Sequence, residues 1–140
     1  MVLDSSAIVA IELQEPGFES LVDRIGDADA VLIGLPTMFE TAMVLTGRRV
    51  RDARPWLRGF LQSVDAEAVP FTEAHLNAAM EAFLRFGKGR HPAALNFGDC
   101  MSYAVAKVAN MPLLYVGNDF PQTDIAPACR SPSARHSLLS

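Results

Sequence analysis

Four short, mostly apolar runs that alternate with segments of helical spacing constrain this chain more than any other feature. The runs are residues 1–3, 30–35, 66–71 and 112–116. A strand that is apolar at nearly every position suits a parallel sheet covered on both faces rather than a sheet with one wet face. Asp4, Ser5 and Ser6 are capping types that lead into the apolar stretch 7–13. Phe18, Leu21, Val22 and Ile25 fall at i, i+3, i+4 and i+7, and Gly26 closes that helix. Pro36 and Thr37 start a helix that reaches about Leu45 and ends at Gly47. Pro55 opens another, with Leu57, Phe60, Leu61 and Val64 on its apolar side, and Thr72 caps a further one with Leu76, Ala79, Met80 and Phe83 inward. Residues 99–108 read as helix with Met101, Ala104, Val105 and Val108 inward, whereas 87–92, with two glycines and a proline, read as loop. Strands alternating with helices predict βαβ units and therefore a three-layer α/β/α sandwich around a central parallel sheet. One domain is expected over residues 1–125, with a loosely held tail over 126–140, where Pro, Ser, Ala and Arg take over.

The formal net charge of −4 argues against holding a polyanion by bulk electrostatics, so any nucleic-acid contact needs local cations. Two clusters offer them: Arg48, Arg49, Arg51 and Arg54, and then Arg85, Lys88, Arg90 and His91. Cys100 and Cys129 form no CxxC pair and read as reduced thiols. The opening residues lack a basic stretch and a cleavage site, and no apolar run approaches the roughly 20 residues of a membrane helix. A cytoplasmic protein without a membrane segment is expected.

In an open parallel sheet, ligands bind beyond the carboxyl ends of the strands. Four acids qualify there: Asp4 after the first run, Glu40 one turn into the helix after the second, Asp99 opening the helix before the last, and Asp119 just beyond it. Each has a plain structural reading: Asp4 caps a helix, Glu40 faces solvent, Asp99 complements a helix dipole, Asp119 forms a turn. One topology that gathers all four favours a shared role. Carboxylates at contact distance raise one another's pKa values, so a cation is needed, and Mg²⁺ or Mn²⁺ suits an all-oxygen donor set.

These residues carry a family resemblance. V-L-D-S-S-A at 2–7, L-P-T-M-F-E at 35–40, G-K-G-R-H-P-A-A-L-N-F-G-D-C at 87–100 and L-L-Y-V-G-N-D-F-P-Q-T-D-I at 113–125 run in the order seen in VapC-type PIN-domain toxins, which the chain resembles over residues 1–125. The resemblance implies a metal-dependent endoribonuclease, the toxin half of a type II toxin–antitoxin pair, with RNA as substrate. It also implies a VapB-type antitoxin that masks the site, and a homodimer. Asp4, Glu40, Asp99 and Asp119 become the catalytic set, Asp4 and Asp99 the direct ligands of Mg²⁺ (or Mn²⁺), and Ser6 a support for the metal site. Similar proteins often read G-D-D-F where this chain has Gly117-Asn118-Asp119-Phe120. Either Asp119 is the fourth acid, or Asn118 stands there as a neutral ligand. Arg85, Lys88, Arg90 and His91 are candidates for phosphate contacts at the rim. Phe18, Leu21 and Val22, and separately Trp56, are candidate interface residues.

Two other classes compete. A catalytically weakened PIN-like module acting by RNA or partner binding draws on Asn118. A phosphatase with Asp4 as nucleophile wants a second aspartate two residues on, where Ser6 stands. A phosphate-cradling nucleotide fold is disfavoured, since no glycine-rich phosphate loop follows a strand.

Overall fold

The computed structural model describes residues 1–49 and 51–128 of the 140-residue chain. The elements run β1 (Val2–Leu3), α1 (Ser5–Glu12), α2 (Phe18–Asp27), β2 (Leu32–Gly34), α3 (Leu35–Arg49), α4 (Arg54–Ser63), β3 (Glu67–Val69), α5 (Glu73–Phe86), α6 (Phe97–Ala109) and β4 (Leu113–Leu114), followed by a 3₁₀ turn at Phe120–Gln122. The four strands form one parallel sheet in the order β3-β2-β1-β4. The three-layer α/β/α expectation is met.

Alternation along the strands sorts the core into two halves, because successive side chains leave opposite faces of a sheet. Val2 and Leu113 face the α5–α6 side, packed with Ala79, Ala82, Leu95, Tyr103 and Val105. Leu3, Ile33 and Leu114 face the other side, with Ile8, Leu21, Ile25, Leu57 and Leu61 from α1, α2 and α4. Both faces of β1 are therefore covered, which is why its short sequence is wholly apolar. A Cβ on Gly34 would stand 2.7 Å from Val105 Cγ2, so the missing side chain lets α6 lie close against the end of β2.

Several local expectations shift. Gly47 does not end α3, which continues to Arg49; the Arg49–Glu12 ion pair at 3.1 Å and the buried Leu45 hold that last turn against α1. The last helix, α6, starts at Phe97, two residues before Asp99, with Asn96 as its cap. On α5 the inward positions are His75, Ala79, Ala82 and Phe86, while Leu76, Met80 and Phe83 are exposed. Alanines on the inner face let α5 pack closely on α6, and the larger side chains go outward. Leu35, Phe39 and Met43 leave an exposed apolar stripe along α3.

The expected tail begins at Ala126, and its first residues run beside β4. The Leu113 N–H donates to Ala126 O and the Ala128 N–H to Leu113 O, both at 2.9 Å. Residues 129–140, including Cys129, lie outside the described residues. No described helix is long and apolar enough to cross a membrane.

Candidate active site

The strand order reverses at β1: the chain builds outward through β2 and β3, then crosses back to place β4 on the other side. The crevice beyond the carboxyl ends of β1 and β4 is thus the topological switch point, where open α/β sheets bind ligands. Asp4 ends β1 there. It caps α1, accepting from the Ser6 N–H at 3.1 Å, so its plain structural reading is correct as far as it goes. Its carboxylate is nearly fully buried and also accepts from the hydroxyls of Ser6 and Ser102. Ser6 Oγ in turn accepts from the Val116 N–H at 3.0 Å, tying α1 to the loop after β4.

Glu40 reaches the same place from α3. Ser5 Oγ donates to Glu40 Oε1 at 2.7 Å, and the carboxylate lies flat on Gly98, where any Cβ would overlap it. Gly98 is adjacent to Asp99 in the first turn of α6. The cap there is reciprocal: the Asp99 N–H donates to Asn96 Oδ1 at 2.9 Å, and the Asn96 N–H donates to Asp99 Oδ2 at 3.0 Å. Burial raises the Asp99 carboxyl, and the charges of Asp4 and Asp119 raise it further against the Asn96 N–H, to about 7. Asp119 is thus close enough to Asp99 for its charge to bear on that carboxyl.

The structure therefore brings Asp4, Glu40, Asp99 and Asp119 together from four separate segments. Of Asn118 and Asp119, both exposed, Asp119 is the one whose charge bears on Asp99. Among the described residues, no three His, Cys, Asp or Glu side chains stand as a ready-made ligand shell for a metal. Asp4, Glu40 and Asp99 are each held by hydrogen bonds within the protein. The donor set nevertheless fits a hard cation, being all oxygen and carboxylate-rich.

The basic candidates are more dispersed. Arg85 lies 3.6 Å from Asp124 and stacks over Phe86, and Arg90 stands over the Phe83 ring. His91 accepts from the Ala93 N–H through Nδ1 and sets its ring edge-on to Phe86. Lys88 is exposed in the turn that closes between Phe86 and Leu95. In the other cluster, Arg49 pairs with Glu12 and Arg54 with Asp52. Burial and the Asp99 charge push the Cys100 thiol up to about 11, which leaves it unreactive. A cavity of about 650 Å³ opens at the amino-terminal ends of the strands, between Met1, Asp27, Ala30, Met111 and Pro127; none of the four acids lines it.

Sequence reasoning missed Ser5, Gly98, Ser102 and Thr37. Thr37 precedes Glu40 by three residues and Ser102 follows Asp99 by three, so helical spacing alone puts each near an acid.

Comparison with known proteins gives the family and the fold. The family model described as PIN domain matches residues 1–126. Ribonuclease VapC36 of Mycobacterium tuberculosis is 44% identical over 126 residues, covering 89% of this chain and 91% of that protein. A VapC ribonuclease of Rhizobium meliloti is 41% identical over 138 residues, covering 88% and 97%. In three dimensions, the crystal structure of VapC20 of Mycobacterium tuberculosis, described as a sarcin–ricin loop cleaving toxin, superposes with a TM-score of 0.72 at 16% identity, covering 89% of this chain and 95% of that one. The match across nearly the whole domain, in sequence and in fold, means that the chain belongs to the PIN-domain family and, within it, to the VapC group.

Proposed function

We propose that this chain is a divalent-metal-dependent endoribonuclease, the toxin of a VapBC-type pair acting in the cytoplasm. The observation that carries the reading is the gathering of four acids at the β1–β4 switch point, with Asp99 raised to about 7 by burial and by its acidic neighbours. Its VapC relatives are named ribonucleases.

In this reading Asp4 and Asp99 hold the cation, Mg²⁺ or Mn²⁺, and Ser6 fixes Asp4 for that task. When bound, the cation supplies Lewis acidity and positive charge at the phosphodiester. The carboxylates of Glu40 and Asp119 orient the attacking water, Glu40 being anchored by Ser5 and seated on Gly98. Arg85, Lys88, Arg90 and His91 contact backbone phosphates at the rim. The binding-only alternative draws on Asn118; the charge of Asp119 acting on Asp99 favours Asp119 as the fourth acid.

A VapB-type antitoxin and a second copy of the chain are the proposed protein partners. The homodimer reading draws on the outward stripes of α3 (Leu35, Phe39, Met43) and α5 (Leu76, Met80, Leu84), large apolar side chains that a monomer leaves in water. The interface expected on α2 has less support: Leu21 is buried and Phe18 half-buried, with only Val22 of the three exposed, while Trp56 stacks on its neighbour Phe60.

The deciding experiment is sequencing of RNA ends after brief induction, native chain against Asp4→Ala. New ends with the native chain only are expected, reproduced by purified protein with Mg²⁺ and suppressed by EDTA. Identical ends from both chains overturn the nuclease reading.

A further inference from the structure

We infer that Thr37 and Ser102 form a buried hydroxyl relay that aims the Asp4 carboxylate, and that they are positioning residues for the metal site; the inference rests on the nuclease reading above. Ser102 Oγ donates to Asp4 Oδ1, and Thr37 Oγ1 lies 3.2 Å from Ser102 Oγ. A serine hydroxyl has one hydrogen to give. Since that of Ser102 goes to Asp4, the hydrogen between the two hydroxyls comes from Thr37. The chain of donors therefore runs Thr37 to Ser102 to Asp4, and all three side chains are buried.

The opposite oxygen is treated the same way. Ser6 Oγ and the Ser6 N–H donate to Asp4 Oδ2, and Ser6 Oγ is itself held by the Val116 N–H. A carboxylate has about four lone-pair sites, so three donors leave about one for a ligand outside the protein. The relay thus sets the direction in which Asp4 can still bind. It also spans the elements that carry the other acids: Thr37 is one turn before Glu40 on α3, and Ser102 one turn after Asp99 on α6. Thr37 is further pinned from its own helix, its carbonyl accepting from Thr41 Oγ1 at 2.7 Å. One line of hydroxyls fixes α3 and α6 around the end of β1.

The test is titration of Mn²⁺ into the full-length chain, with free ion followed by electron paramagnetic resonance, alongside thermal unfolding and RNA cleavage. Outer hydrogen-bond partners of metal ligands typically contribute about 10- to 100-fold in metal affinity. Ser102→Ala is expected to weaken Mn²⁺ binding within that range, and Thr37→Val, one bond further out, by about tenfold. Thr37→Ser, which restores the hydroxyl, is expected to bind Mn²⁺ like the native chain. RNA KM stays close to native while the Mn²⁺ requirement rises. Should Ser102→Ala fail to fold, the Thr37→Val and Thr37→Ser pair decides alone. If the variants lose thermal stability yet bind Mn²⁺ as the native chain does, the hydroxyls only satisfy a buried charge and the inference falls. If the native chain neither binds Mn²⁺ nor cleaves RNA, the nuclease reading falls first and takes the relay with it.

Discussion

Asp99→Asn separates the energetic cost of this acid from its use. In the folded chain the carboxyl is raised from an ordinary 3.8 to about 7, by burial first and then by Asp4 and Asp119. A folded-state pKa above the unfolded one means that the folded chain binds more protons between the two values. The stabilising protonation is complete below about pH 4 and is lost as pH rises through about 7. At about 1.36 kcal/mol per pH unit the span sets a ceiling near 4 kcal/mol. Asp99 is partly exposed, and solvent screening brings the expected effect to about 1–2 kcal/mol. Asparagine keeps an oxygen to accept the Asn96 N–H, so the helix cap survives the loss of charge. Urea unfolding in chelator between about pH 4 and pH 8.5 is the assay. The native chain should lose about 1–2 kcal/mol relative to the variant across that interval, and Mg²⁺ should restore stability to the native chain alone at the alkaline end. Two curves separated by the same amount at every pH would refute the argument, because Asp99 would then not be paying for its acidic neighbours.

Three further outcomes follow from the same geometry. Gly98→Ala puts a methyl group where the Glu40 carboxylate sits, so cleavage should fall by about 100-fold while circular dichroism stays native; unchanged turnover would mean that Glu40 is not needed there. Gly34→Ala drives a Cβ into Val105 and should lower stability by about 1–3 kcal/mol in chemical denaturation, without altering the acids. Met43→Asp combined with Met80→Asp should convert a dimer to a monomer in sedimentation velocity, with little change in unfolding temperature, since both side chains are already exposed in the monomer; a persisting dimer would place the interface elsewhere.

What the linear sequence determined is local. Apolar runs such as 112–116 announce covered strands, and cap types such as Asp4 and Thr72 announce helix starts, because propensity, capping and alternation act over a few residues. The order of the acids along the chain was legible too, as was the family pattern. What only the tertiary structure decided depends on distant partners. The placement of β1 between β2 and β4 follows from non-local pairing, and it alone makes a crevice at Asp4. The inner face of α5 was misread because the segment carries more apolar residues than one face can bury; the small Ala79 and Ala82 won the contact with α6. The charge of Asp119 bears on Asp99 across the fold, and Ser102 reaches Asp4 across 98 residues. A hydrogen bond of that span leaves no periodic trace in a single sequence, since its two ends answer to the helices that carry them and meet only when the sheet between them is built.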